Sequence, residues 1–151
     1  MRFVATTIAV SALAFNLSCF CAYAVDEKIA DPQAMAALIA KAEQAQPKEQ
    51  CFLYAELVHQ MTELAGQQLS AGDERASETL HQVQKYAQKI HMGVAEDGKK
   101  LKNAEQLMRH TSYRLNDILN AASYDDRQAL QATLKQLENV QTELMMQVFK
   151  K

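Results

Sequence analysis

LKNAEQLMRHTSYRLNDILNAA, residues 101–122, is the stretch on which the fold turns. Leu101, Ala104, Met108, Thr111, Leu115, Ile118 and Ala122 recur at steps of three and four, with polar residues filling the places between them. That spacing lays one narrow apolar stripe along an α-helix, and such stripes pack knobs-into-holes against nearly antiparallel neighbours.

The same rhythm runs through the preceding residues. Tyr54, Val58, Met61 and Ala65 follow it, then Ala76, Leu80, Val83, Ala87, Ile90 and Val94. A final series has Leu130, Leu134, Leu137, polar Gln141 beside Val140, Leu144 and Val148. Nothing alternates with period two for long enough to argue a strand. The residues are mostly Ala, Leu, Gln, Glu and Lys, good helix formers, and the whole chain has two prolines and four glycines. The expected fold is all-α: a heptad-patterned antiparallel helical bundle or set of hairpins.

Local signals set the breaks. Asp31 is placed to cap a short helix opened by Pro32 and running to about Gln46, and Pro47 opens a second. Gly72 is a left-handed stop, with Asp73 as cap for the next helix. ASYDDRQ at 122–128 is a further break, with Ser123 or Asp125 as cap for the last helix. The segment around Glu96–Lys100 reads two ways. Gly93 and Gly98 disfavour helix, yet the stripe crosses it in phase through residues 94, 97 and 101. A break predicts an up-and-down four-helix bundle. The preserved phase favours one long central helix over about residues 74–122, roughly 70 Å long.

The N-terminus carries an address. After Arg2, 22 residues lack charge and end in Ala22-Tyr23-Ala24, followed by Asp26 and Glu27. This is the pattern of a secretory signal peptide over residues 1–24, with cleavage after Ala24. Residues 25–47 then form an N-terminal segment with a short helix, and 48–151 the helical bundle domain. The expected location is periplasmic or secreted, without stable membrane insertion after cleavage. Removing residues 1–24 leaves 18 acids against 15 bases, a net charge of −3. That balance does not point to nucleic acid or to strong membrane attraction. Of three cysteines only Cys51 remains, so no intramolecular disulfide forms and a buried thiol is expected.

Chemistry-bearing motifs are few. ELVHQ (Glu56–Gln60) and ETLHQ (Glu78–Gln82) repeat one Glu-x-x-His signature 22 positions apart. Glu-x-x-His on helices is half of a carboxylate-bridged di-metal ligand set, whose side chains must project into the bundle. With Met61 and Val83 as stripe centres, Glu56, His59, Glu63, Glu78 and His81 all fall about 140–160° away from the core direction. No interior metal centre or other cofactor is therefore expected, and these five residues are candidates only for a surface ion site. Lys85 shares the face of Glu78 and His81 and would repel a cation.

Signatures of haem attachment, zinc proteases, serine hydrolases and phosphate loops are missing, so no catalysis is expected. Lys99, Lys100, Lys102, Arg109, His110 and Arg114 gather within residues 99–114 and read as a solvated face. LMMQVF, residues 144–149, reads as the last turns of core.

ELAGQQLSAGDERASETL, Glu63–Leu80, resembles the helix–turn–helix of a tetratricopeptide repeat in its small residues around a Gly-Asp turn. It lacks the aromatic and Leu-Gly positions of that repeat's first helix, and no second copy follows at the repeat's period. The Leu-Thr-x-x-Gln motif of small periplasmic stress chaperones does not occur either. No family follows from these likenesses. The expected role is that of an exported helical protein acting by contact, as a binding, scaffold or chaperone-like module with a protein partner or by self-association. The alternative is a metal-binding or metal-sensing protein using Glu/His pairs at its surface.

Overall fold

The computed structural model describes residues 31–90 and 98–150. Five helices make up these residues, and no strand occurs among them: α1 (Pro32–Gln44), α2 (Pro47–Ser70), α3 (Ala76–Ile90), α4 (Gly98–Ala121) and α5 (Arg127–Phe149). The signal-peptide segment lies outside the described residues.

The local stop and start signals act as expected. Asp31 accepts the Gln33 N–H at 3.0 Å and caps α1, and Pro47 stands in the first turn of α2. Gly72 ends the α2–α3 junction with φ +67°, a conformation that costs a residue without Cβ nothing sterically. Asp73 then accepts the Arg75 N–H and pairs with its guanidinium, ordering the turn before Ala76. At the last break the N-cap is Asp126, rather than Ser123 or Asp125. Ser123 still serves the turn: its hydroxyl donates to Asp126 Oδ2 at 2.6 Å and accepts the Asp126 N–H at 3.4 Å.

Four helices form a ring in the order α2, α3, α5, α4, and α1 lies along α2. Polar bonds between helices give their directions. Thr79 bonds Gln68, and Tyr86 stacks on Tyr54 with ring centroids 6.1 Å apart, so α3 runs antiparallel to α2. Lys100 pairs with Glu49 at 2.6 Å and Arg114 with Glu63 at 2.9 Å, so α4 runs parallel to α2. After the short turn at 122–126, α5 returns along α4 and meets α3 through Gln84–Thr133 and Gln136–Gln84 bonds of 2.8 and 2.7 Å.

The junction on which a helix over 74–122 depends, residues 91–97, lies outside the described residues. The bonds flanking it give the relative directions of α3 and α4. Gln68 and Glu63 are five residues apart on α2, about 8 Å. Their partners Thr79 and Arg114 would stand about 52 Å apart on one straight helix. Among the described residues α3 and α4 therefore run in opposite directions, and α2 to α5 pack as an up-and-down bundle.

The core is one cluster of apolar side chains from all five helices, with Leu57, Ile90, Met108, Leu115, Leu130 and Leu137 among the largest fully buried. Truncating any of these to Ala costs about 2–5 kcal/mol. α1 belongs to the same core through Met35 and Ala42. Thr62, Thr111 and Thr133 are buried at no polar cost, because each hydroxyl donates to the carbonyl four residues back at 2.8–2.9 Å.

α2 is the least one-sided helix. Beside the stripe facing α3 it buries Cys51, Ala55, Thr62 and Gly66, mostly small side chains, and contacts α1, α3 and α4. Gly66 lets Ile118 of α4 approach closely, and polar side chains of the two helices meet along the same contact.

Candidate functional site

The seam between α2 and α4 gathers two ion pairs and two imidazoles. Glu49–Lys100 lies near its start, and the Glu63–Arg114 pair lies further along, with the Arg114 Nε bonded to both carboxylate oxygens at 2.9 and 3.1 Å. Lys100 holds the Glu49 carboxyl below the usual carboxylate range by hydrogen bond and charge. Between the two pairs sits His59. Its Nδ1 is 3.1 Å from Thr111 Oγ1, and its ring centroid is 5.5 Å from that of His110, with the planes tilted by 49°.

The tautomer of His59 follows from the threonine. The Thr111 hydroxyl has a single proton and directs it to the Leu107 carbonyl, which can only accept, at 2.8 Å. With its proton so directed, the hydroxyl accepts from His59, the arrangement in which Nδ1 carries the proton and Nε2 the lone pair. Burial lowers the His59 pKa, opposed by Glu63 and Glu56 and aided by His110 and Arg114. The imidazole is thus neutral and basic at Nε2 at neutral pH.

The sequence-based candidates separate. His59 and Glu63 are half-buried against α4, not turned to solvent as a single-stripe α2 implies, because α4 covers that face of the helix. Glu56 lies one turn before His59 and is half-buried. Glu78 and His81 are exposed on α3, where Glu78 accepts a bond from Gln82 at 2.7 Å. The two Glu-x-x-His copies are thus not brought together. Among the described residues no group of three or more His, Cys, Asp or Glu is placed to hold a metal ion. In the sequence His110 stands only within a basic face, and its pairing with His59 depends on which helices are neighbours.

Cys51 is fully buried, and burial pushes its thiol up to about 11, which leaves no nucleophilic thiolate at neutral pH. On the far side of α2, Lys89 lies 5.4 and 5.3 Å over the Tyr54 and Tyr86 rings and 3.5 Å from Glu43, tying α1 to α2 and α3.

Two clefts flank the C-terminal end of α2. One, of about 580 Å³, lies between α2 and α4 over Gly66, Ser70, Arg114, Ile118 and Ser123. The other, of about 590 Å³, lies between α1 and α2 over Pro32, Met35, Ile39, Leu64 and Ala71.

The last turns of α5 depart from expectation. Leu144 is buried, but Met145, Met146 and Phe149 are 42%, 51% and 78% exposed, so LMMQVF is core on one side only. Exposed Lys48, Lys99, Lys102 and Lys150 stand at the same end of the bundle, where α2 and α4 begin and α5 finishes. No helix among the described residues is long and apolar enough to cross a membrane.

No protein-family model, curated protein or solved structure matches the chain.

Proposed function

We propose that the chain is an exported, non-enzymatic helical contact module that docks a protein partner through the outer end of α5. The observation that carries this reading is the apolar patch of Met145, Met146 and Phe149. These three side chains share one face at i, i+1 and i+4, and a flexible, Met-rich surface of this kind adapts to a partner's shape. The lysines at that end of the bundle suit a partner with an apolar groove and an acidic rim. Export rests on the signal-like residues 1–24. The absence of catalysis rests on the buried Cys51 and on the pairing of Glu49 and Glu63 with bases, which ties up groups a reaction would use.

Site-specific photo-crosslinking of the full chain in its exported fraction tests the reading. A crosslinker at position 149 should give a discrete adduct with another protein, and one at the exposed Gln131 of the same helix should not. Equal adduct patterns from both positions would remove the case for this surface.

A further inference from the structure

We propose that His59 and His110 together bind a divalent transition-metal ion across the α2–α4 seam. The site stands apart from the contact reading above and uses none of the same residues.

Three observations carry it. Thr111 Oγ1, whose own proton goes to the Leu107 carbonyl, lies 3.1 Å from His59 Nδ1 and offers it an acceptor, the arrangement that leaves the lone pair on Nε2. Metal-ligating histidines commonly have their other ring N–H held in this way by an oxygen acceptor. Next, the two rings stand at a chelating separation. Two imidazoles on a tetrahedral ion, each with nitrogen about 2.0–2.1 Å from the metal, have centroids about 5 Å apart, and those of His59 and His110 are 5.5 Å apart. Finally, the local charge favours a cation. The negative charges of Glu63 and Glu56 act on His59, and Arg114, which opposes them, is paired with Glu63. Burial keeps His59 neutral, the form that ligates.

Two imidazoles select for zinc, copper or nickel over calcium or magnesium. They are fewer than the three protein ligands of a catalytic zinc site, so water would fill the remaining positions and the ion would exchange readily. His59 and His110 come from different helices, so binding would clamp α2 to α4. The Glu-x-x-His copy on α3 takes no part.

Calorimetric titration of the full chain with zinc chloride tests the proposal. One saturable equivalent is expected, weakened at least tenfold by either His59→Gln or His110→Gln and unchanged by His81→Gln. His110 is exposed, so its variant leaves the core intact. Thr111→Val should weaken binding by about tenfold to a hundredfold while both ligands remain, since Thr111 positions a ligand without touching the ion. In the unaltered chain, substoichiometric copper(II) should broaden the imaidazole proton signals of His59 and His110 before those of His81. Absence of saturable binding, or binding indifferent to His110→Gln, overturns the proposal.

Discussion

Gly66 of α2 faces Ile118 of α4 so closely that a Cβ on the glycine would lie 2.7 Å from Ile118 Cδ1 and 3.2 Å from its Cγ1. This is where the two parallel helices approach each other beside the cleft that both residues line.

The contact makes a graded prediction. Gly66→Ala gains about 1 kcal/mol of helix propensity. The atom it strikes is the far end of a half-buried side chain bordering open space, and a displaced rotamer costs about 0.5–1.5 kcal/mol. The two effects nearly cancel, so urea unfolding should show a change within about 1 kcal/mol. Gly66→Leu has no such escape and should lose about 1–3 kcal/mol by overpacking. Equal stability of the two variants would mean that α4 is not held against α2 at this point.

Ser112 gives a stabilising change. Its Oγ is buried and has no hydrogen-bond partner among the described residues. Removing such a hydroxyl relieves a desolvation cost of about 1 kcal/mol, and Ala is the better helix former. Ser112→Ala should therefore raise the unfolding free energy by about 1 kcal/mol and leave far-ultraviolet circular dichroism unchanged. A loss of stability would show that the hydroxyl is bonded.

How far the sequence carried these features depends on how many neighbours each helix has. The stripes of α3 and α4 were legible because a helix with one apolar stripe shows its buried side directly in its spacing. The turns at Asp31 and Gly72 were legible because their causes are local. α2 was only half legible: it meets α4 at Gly66 and through the polar side chains of Glu49, His59 and Glu63, and such residues do not register as an apolar stripe. The stripe centred on Met61 therefore points His59 and Glu63 toward water, whereas α4 covers them. The His59–His110 pair could not be read at all, since 51 residues separate its members and only the parallel arrangement of α2 and α4 joins them. The in-phase spacing through Val94 and Asp97 records which side of a helix is apolar, and it falls on residues outside those described.

Cys51 makes a prediction about reactivity and one about alkaline stability. Being fully buried, it should resist an aromatic disulfide reagent in the native protein and react at once in denaturant. Burial raises its folded-state pKa from 9.0 to about 11, so the folded state holds the thiol proton more tightly than the unfolded chain. Its contribution to stability is therefore complete below pH 9 and declines as pH rises toward 11. The fall in urea midpoint between pH 8.5 and 10.5 should be steeper in the unaltered chain than in Cys51→Ala, with about 1–2 kcal/mol separating the two slopes across that interval. Parallel slopes would mean that the thiol is hydrated.

His59 makes the opposite prediction at acid pH. Burial lowers its folded-state pKa below the ordinary value of 6.5, so between the two values the unfolded chain binds the proton that the folded chain refuses. Stability must then rise with pH through this window, with no penalty above pH 6.5 and the full penalty once pH is below the folded value. Protonation also places a cation beside Arg114 and His110, opposed by Glu63 and Glu56. The urea midpoint of the metal-free chain should fall from pH 7.5 to 5, and His59→Gln should flatten that fall, because its amide keeps a donor for Thr111 without titrating. Chemical-shift titration of the ring gives an independent check, with the His59 midpoint lying below 6.5. A midpoint at or above 6.5, together with unchanged slopes in His59→Gln, would show that α4 does not shield this imidazole from water.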